Sequence, residues 1–103
     1  MGMERLSNQV EKESRDLAIL EAVIGNGPIG IVRLAEETGI PEHKVRYSLR
    51  MLENDGLVEP TPQGAVPAED IADRVVDING GIDGLVGRLE ELEAALRPPE
   101  AVE

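Results

Sequence analysis

The apolar residues of this chain fall into stretches with different spacings. Leu6, Val10, Leu17, Leu20 and Ile24 recur at steps of three, four and seven, which predicts a first helix beginning as early as Ser7. Gly25-Asn26-Gly27-Pro28 ends it, because two glycines and a proline in four residues favour a turn over continued helical hydrogen bonding. Ile29 is a candidate for a short strand. Gly30 to Thr38 then reads as a second helix with Val32 or Ile31, Leu34 and Ala35 inward and Gly39 closing it. Pro41 opens a third helix, since proline suits a first turn whose N–H groups have no partner, and Glu42 complements the positive helix end. Val45, Leu49 and Leu52 share one face of that helix, and Asn54-Asp55-Gly56 ends it. Leu57-Val58-Glu59 and Ala65-Val66 flank Thr61-Pro62-Gln63-Gly64, where proline second and glycine fourth favour a type I turn in a small β-hairpin.

The last stretch has a different repeat. Ile71, Val75, Ile78, Ile82, Leu85, Leu89, Leu92 and Leu96 alternate steps of four and three, as in a coiled coil. The helical spacing runs from Ala68 to Arg97, and Pro98-Pro99 stops it. Those eight side chains would leave on the order of 10 kcal/mol of apolar burial unused on a lone helix. A partner helix or the rest of the chain should cover them. With Val75, Ile82, Leu89 and Leu96 at heptad position a and Ile71, Ile78, Leu85 and Leu92 at d, Arg88 (g) and Glu93 (following e) would meet in a parallel homodimer. That is the preferred arrangement, with the antiparallel dimer and an intramolecular fold-back as alternatives. Gly80, Gly81, Gly84 and Gly87 each cost a helix about 1 kcal/mol relative to alanine. None lies at a or d, so the helix either continues through them or breaks at Asn79-Gly80-Gly81.

The run Leu34-Ala35-Glu36-Glu37-Thr38-Gly39-Ile40-Pro41, followed by Val45, Leu49, Leu52 and Gly56-Leu57-Val58, resembles the winged helix-turn-helix of ArsR- and MarR-like regulators and of many small archaeal regulators. The parts have physical reasons. A small residue at Ala35 lets two helices cross closely, Gly39 permits a left-handed turn, and Ile40, Val45 and Leu49 lock one helix on the other. The resemblance implies a mainly α fold, a winged helix-turn-helix with a three-helix core and a hairpin wing. Residues 14–67 form this domain, preceded by an extension at 1–13 that can hold the start of helix 1. A dimerisation helix, coiled-coil-like, follows at 68–97, and 98–103 form a tail.

If Val45, Leu49 and Leu52 face the core, a step of about 100° per residue turns His43, Tyr47, Arg50 and Asn54 outward, with Lys44 and Arg46 on the flanks. Between His43 and Arg50 stand three basic residues and no acidic one. By the resemblance these six side chains, on a recognition helix at about 41–54, enter the major groove of double-stranded DNA, where arginine donates to guanine and Tyr47 and Lys44 reach phosphates or base edges. The wing departs from the family's pattern: no Lys or Arg lies between Glu59 and Ala68, so minor-groove contact there is in doubt.

Composition complicates this picture. Acidic residues outnumber basic ones 21 to 10, for a net charge of −11, which argues at first against a polyanionic partner. Eight of the ten cations are arginine, and the carboxylates are spread along the chain. That pattern suits a halophilic protein whose charge answers to molar salt more than to its ligand. Tyr47 is the only aromatic residue, so the core is built from Leu, Ile, Val and Ala and is thin. There is no cysteine and only one histidine, His43; with no phosphate-binding glycine loop and no spaced metal ligands, an enzyme, a metal site and a cofactor are not expected. No apolar run spans a membrane and no signal peptide is evident, which predicts a cytoplasmic protein. The expected function is sequence-specific transcriptional regulation by a DNA-binding homodimer. The alternative is a winged helix used for protein contact in a transcription or replication assembly, which the acidic total and bare wing favour.

Overall fold

A computed structural model describes residues 2–100; residue 1 and the end of the tail, 101–103, lie outside the described residues. Six elements follow in order: α1 (Glu4–Asn26), α2 (Ile31–Thr38), α3 (Glu42–Asn54), β1 (Val58–Thr61), β2 (Gly64–Pro67) and α4 (Ile71–Ala95). The fold is mainly helical, a winged helix-turn-helix followed by a C-terminal helix. Two compact units divide between Ile71 and Ala72.

In the first unit, Ile19, Leu20 and Val23 of α1 meet Leu34 of α2 and Val45, Leu49 and Leu52 of α3, all buried, with Ile29, Val58, Ala65 and Ala68 closing the core under the hairpin. Among the described residues eleven small or medium apolar side chains make up this core, and the absence of Phe and Trp leaves each of them a large share of the burial energy. On α2 the inward choice falls to Ile31, half-buried, while Val32 is 58% exposed. The first helix starts at Glu4, earlier than its apolar spacing suggested, and the whole segment from Glu4 to Glu11 is exposed.

Local chemistry sets the turns. Gly39 caps α2 in the left-handed region at φ 73° and donates its N–H to Ala35 O, a backbone state that side chains with a Cβ resist. Thr38 Oγ1 donates to Leu34 O at 2.6 Å and accepts from Ile40 N–H at 3.2 Å, so one hydroxyl ties the end of α2 to the start of the next turn. Pro41 stands at the N-cap of α3, one residue before the helical turn expected of it, and its carbonyl accepts from the N–H groups of Lys44 and Val45. At the other end of α3, Gly56 N–H returns to Glu53 O and Leu57 N–H to Leu52 O, the paired bonds of a Schellman ending.

The hairpin is antiparallel, with Val58 opposite Pro67 and Thr61 opposite Gly64. Among the described residues none other than glycine has positive φ, which excludes the mirror-image and type II turns at Pro62-Gln63. Ile29 adds a single bridge to Ala65 through two backbone hydrogen bonds of 3.1 and 2.8 Å. That bridge explains Gly64: a Cβ there would sit 2.5 Å from the carbonyl carbon of Ile29, and its φ of 131° is itself unfavourable for any other residue.

Among its described residues the second unit holds α4 from Ala72 onward and a non-helical stretch at 96–100. α4 runs unbroken through Gly80, Gly81, Gly84 and Gly87, so the break at Asn79-Gly80-Gly81 does not occur, and a Cβ at any of these four would meet nothing within 4 Å. Ile71, Val75 and Ile78 are half-buried; Ile82, Leu85, Leu89, Leu92 and Leu96 are exposed, as are Val76 and Val86 off the heptad stripe.

Candidate nucleic-acid interface

The third helix of the domain presents two unlike faces. Val45, Ser48, Leu49 and Leu52 are buried, which turns the rest of the helix outward. His43, Lys44, Arg46, Tyr47, Arg50 and Asn54 are all exposed, Tyr47 at 63%. The expected surface is thus assembled on one element by helical periodicity alone. Its acidic neighbours Glu42 and Glu53 lie toward one edge, near Arg46, while Lys44 and Tyr47 occupy the other. Among the described residues Lys44, Arg46 and Arg50 make no ion pair, whereas Lys12 and Arg33 of the same unit are engaged by carboxylates. Three uncompensated cations within seven residues concentrate positive potential on this face despite the acidic total.

A polar link between α1 and α3, added to the apolar packing, was invisible in the apolar pattern. Ser48, fully buried, donates its hydroxyl proton to Asp16 Oδ1 of α1 at 2.6 Å, and the Ser48 Oγ itself accepts from Arg15 Nε at 3.2 Å. Asp16 is 6% exposed, and its Oδ2 faces Lys12 Nζ at 3.5 Å. A charge-assisted bond this short is strong, and its low-dielectric setting penalises loss of either partner. The node therefore adds to the buried apolar residues in restricting rotation of α3 about its axis. Within the sequence Asp16 and Ser48 sit 32 residues apart among ordinary polar helix positions, and only the crossing of α1 and α3 brings them together.

The wing carries Glu59 and no cation. Residues 12–59 match the family model of winged helix-turn-helix DNA-binding domains. The matched stretch contains most of α1, α2, α3 and the start of β1, together with all four residues of the polar node. No curated protein matches the chain. Among the described residues no group of three or more His, Cys, Asp or Glu is placed to hold a metal ion, and no helix is long and apolar enough to cross a membrane.

Proposed function

We propose that the protein is a sequence-specific transcriptional regulator that inserts α3 into the major groove of double-stranded DNA and acts as a homodimer through α4. The observation that carries this reading is the exposed face of α3, with His43, Lys44, Arg46, Tyr47, Arg50 and Asn54 outward and its three cations unpaired. Bidentate arginine and amide donors on one helix face suit base edges, and Lys44 and Tyr47 suit phosphates at its border. The acidic remainder of the chain then works as a hydrating surface, suited to a cytoplasm rich in salt, and reduces non-specific attraction to DNA.

Dimerisation is supported by α4. Leu85, Leu89 and Leu92 each expose more than half of their surface in one chain, and a second α4 would bury this seam in a parallel coiled coil with Ile71, Val75, Ile78, Ile82 and Leu96. A two-fold dimer presents two recognition helices, which requires paired half-sites spaced by about one or two turns of DNA, ~10 or ~20 bp. The bare wing favours the rival reading, a winged helix that contacts protein. Selection of genomic DNA fragments on the purified protein, followed by sequencing, separates the two. The expected outcome is enrichment of inverted half-sites at such spacing; a library that stays unenriched, from protein shown to be folded, supports the protein-contact reading.

A further inference from the structure

Arg15 is the half-buried residue of α1 whose Nε donates to Ser48 Oγ at 3.2 Å. Its anchor lies on α3, one turn beyond Lys44, so the Cβ atoms of Lys44 and Ser48 are about 5–6 Å apart. The acid nearest to it in sequence is already committed, since Asp16 accepts from Ser48 through Oδ1 and is faced by Lys12 through Oδ2. Lys12 in turn is shared with Glu13 at 3.6 Å. Arg15 itself makes no ion pair among the described residues, and a guanidinium has five donors, of which one is used here. The fork is held by its inner nitrogen at the edge of the recognition helix, with its outer nitrogens and its full charge uncommitted.

We infer that Arg15 binds a DNA backbone phosphate at the border of the groove that α3 enters, beside Lys44. The inference rests on the DNA-binding reading of α3 and adds an anchor to it from a different helix. Planar, fixed donors are what bidentate phosphate recognition needs, and a residue outside the groove positions the protein without reading sequence. The wing, which has no cation, leaves the grip on the flanking backbone to be supplied from elsewhere, and Arg15 supplies it from α1.

The test measures affinity for a selected fragment and for unrelated duplex DNA across KCl concentration, using full-length wild type, R15Q and R15K, each checked for helical content. Loss of one phosphate contact should make the slope of log K against log salt shallower by about 0.9 in R15Q. Affinity should fall about tenfold on both DNAs alike, as expected for a lost bond to a charged group. R15K, which keeps the charge, should restore the slope. Weaker binding by R15Q with the wild-type slope would mean that Arg15 only props Ser48, and unchanged binding by R15Q, or a slope left shallow in R15K, likewise overturns the inference. Wild type that binds neither DNA at any salt removes the underlying reading and this inference with it, an outcome distinct from an Arg15 variant that behaves like a binding wild type.

Discussion

Replacing Asp16 with alanine removes the acceptor of the shortest side-chain bond between α1 and α3. The Ser48 hydroxyl is fully buried and cannot turn to water, so a bond to a charged group, worth about 1.5–3 kcal/mol, is lost without replacement. Lys12 is more than a third exposed, so its separation from Asp16 adds only a few tenths of a kcal/mol. D16A should therefore cost about 2 kcal/mol, and S48A, which leaves the Asp16 carboxylate with only Lys12, a similar amount. In the double variant both partners are gone, and the cost should fall short of the sum by about 1–2 kcal/mol. For a domain of this size each kcal/mol lowers Tm by about 4–8 °C, so either single variant should melt roughly 8–16 °C below wild type. Urea unfolding followed by far-ultraviolet circular dichroism, at one fixed protein concentration because association shifts apparent stability, gives the complete cycle. Strict additivity, with coupling below about 0.5 kcal/mol, would refute the claim that these two residues act as one clamp on α3.

Other substitutions test other links. G64A should destabilise the wing by about 2–4 kcal/mol, because the added methyl meets the Ile29 backbone and the residue sits at φ 131°; thermal melting checks it, and a Tm within a degree of wild type would contradict the close approach. Asp at Leu85 and Leu89 together should convert a dimer to monomer in sedimentation equilibrium, and an unchanged mass would place dimerisation elsewhere. Gly80 and Gly87 fall at outward heptad positions if Ile82 and Leu89 are at a, so alanine at each should stabilise the assembly by about 0.8–1 kcal/mol. A lower Tm would mean that another helix packs on that face.

How far the fold was legible in the sequence depends on the range of the interaction. Elements set by local spacing were readable: Val45, Leu49 and Leu52 on α3, Gly39 at the helix-turn-helix turn, and the hairpin around Pro62-Gln63. The outward placement of His43, Lys44, Arg46, Tyr47, Arg50 and Asn54 follows from the same periodicity. The choice of Ile31 over Val32 was not readable, because both fit an eight-residue helix until its neighbours are known. Nor was the role of Gly64, which comes from Ile29, 35 residues earlier. The clamp was hidden for the same reason: a buried Asp looks like a surface Asp until Ser48 arrives opposite it. Continuity of α4 across four glycines was also undecidable, since local propensity argues for a break and heptad pattern for a helix.

In the proposed function the unpaired cations of α3 grip DNA. The most direct test is fluorescence anisotropy of labelled genomic fragments, including the DNA upstream of the protein's own gene, titrated with wild type and with the triple variant K44A/R46A/R50A at several KCl concentrations. All three positions are exposed and unpaired, so the variant should fold as wild type does. The expected result is saturable, salt-dependent binding of particular fragments by wild type that the variant loses. Equal binding by both proteins, or none by a folded wild type at any salt, would contradict the claim.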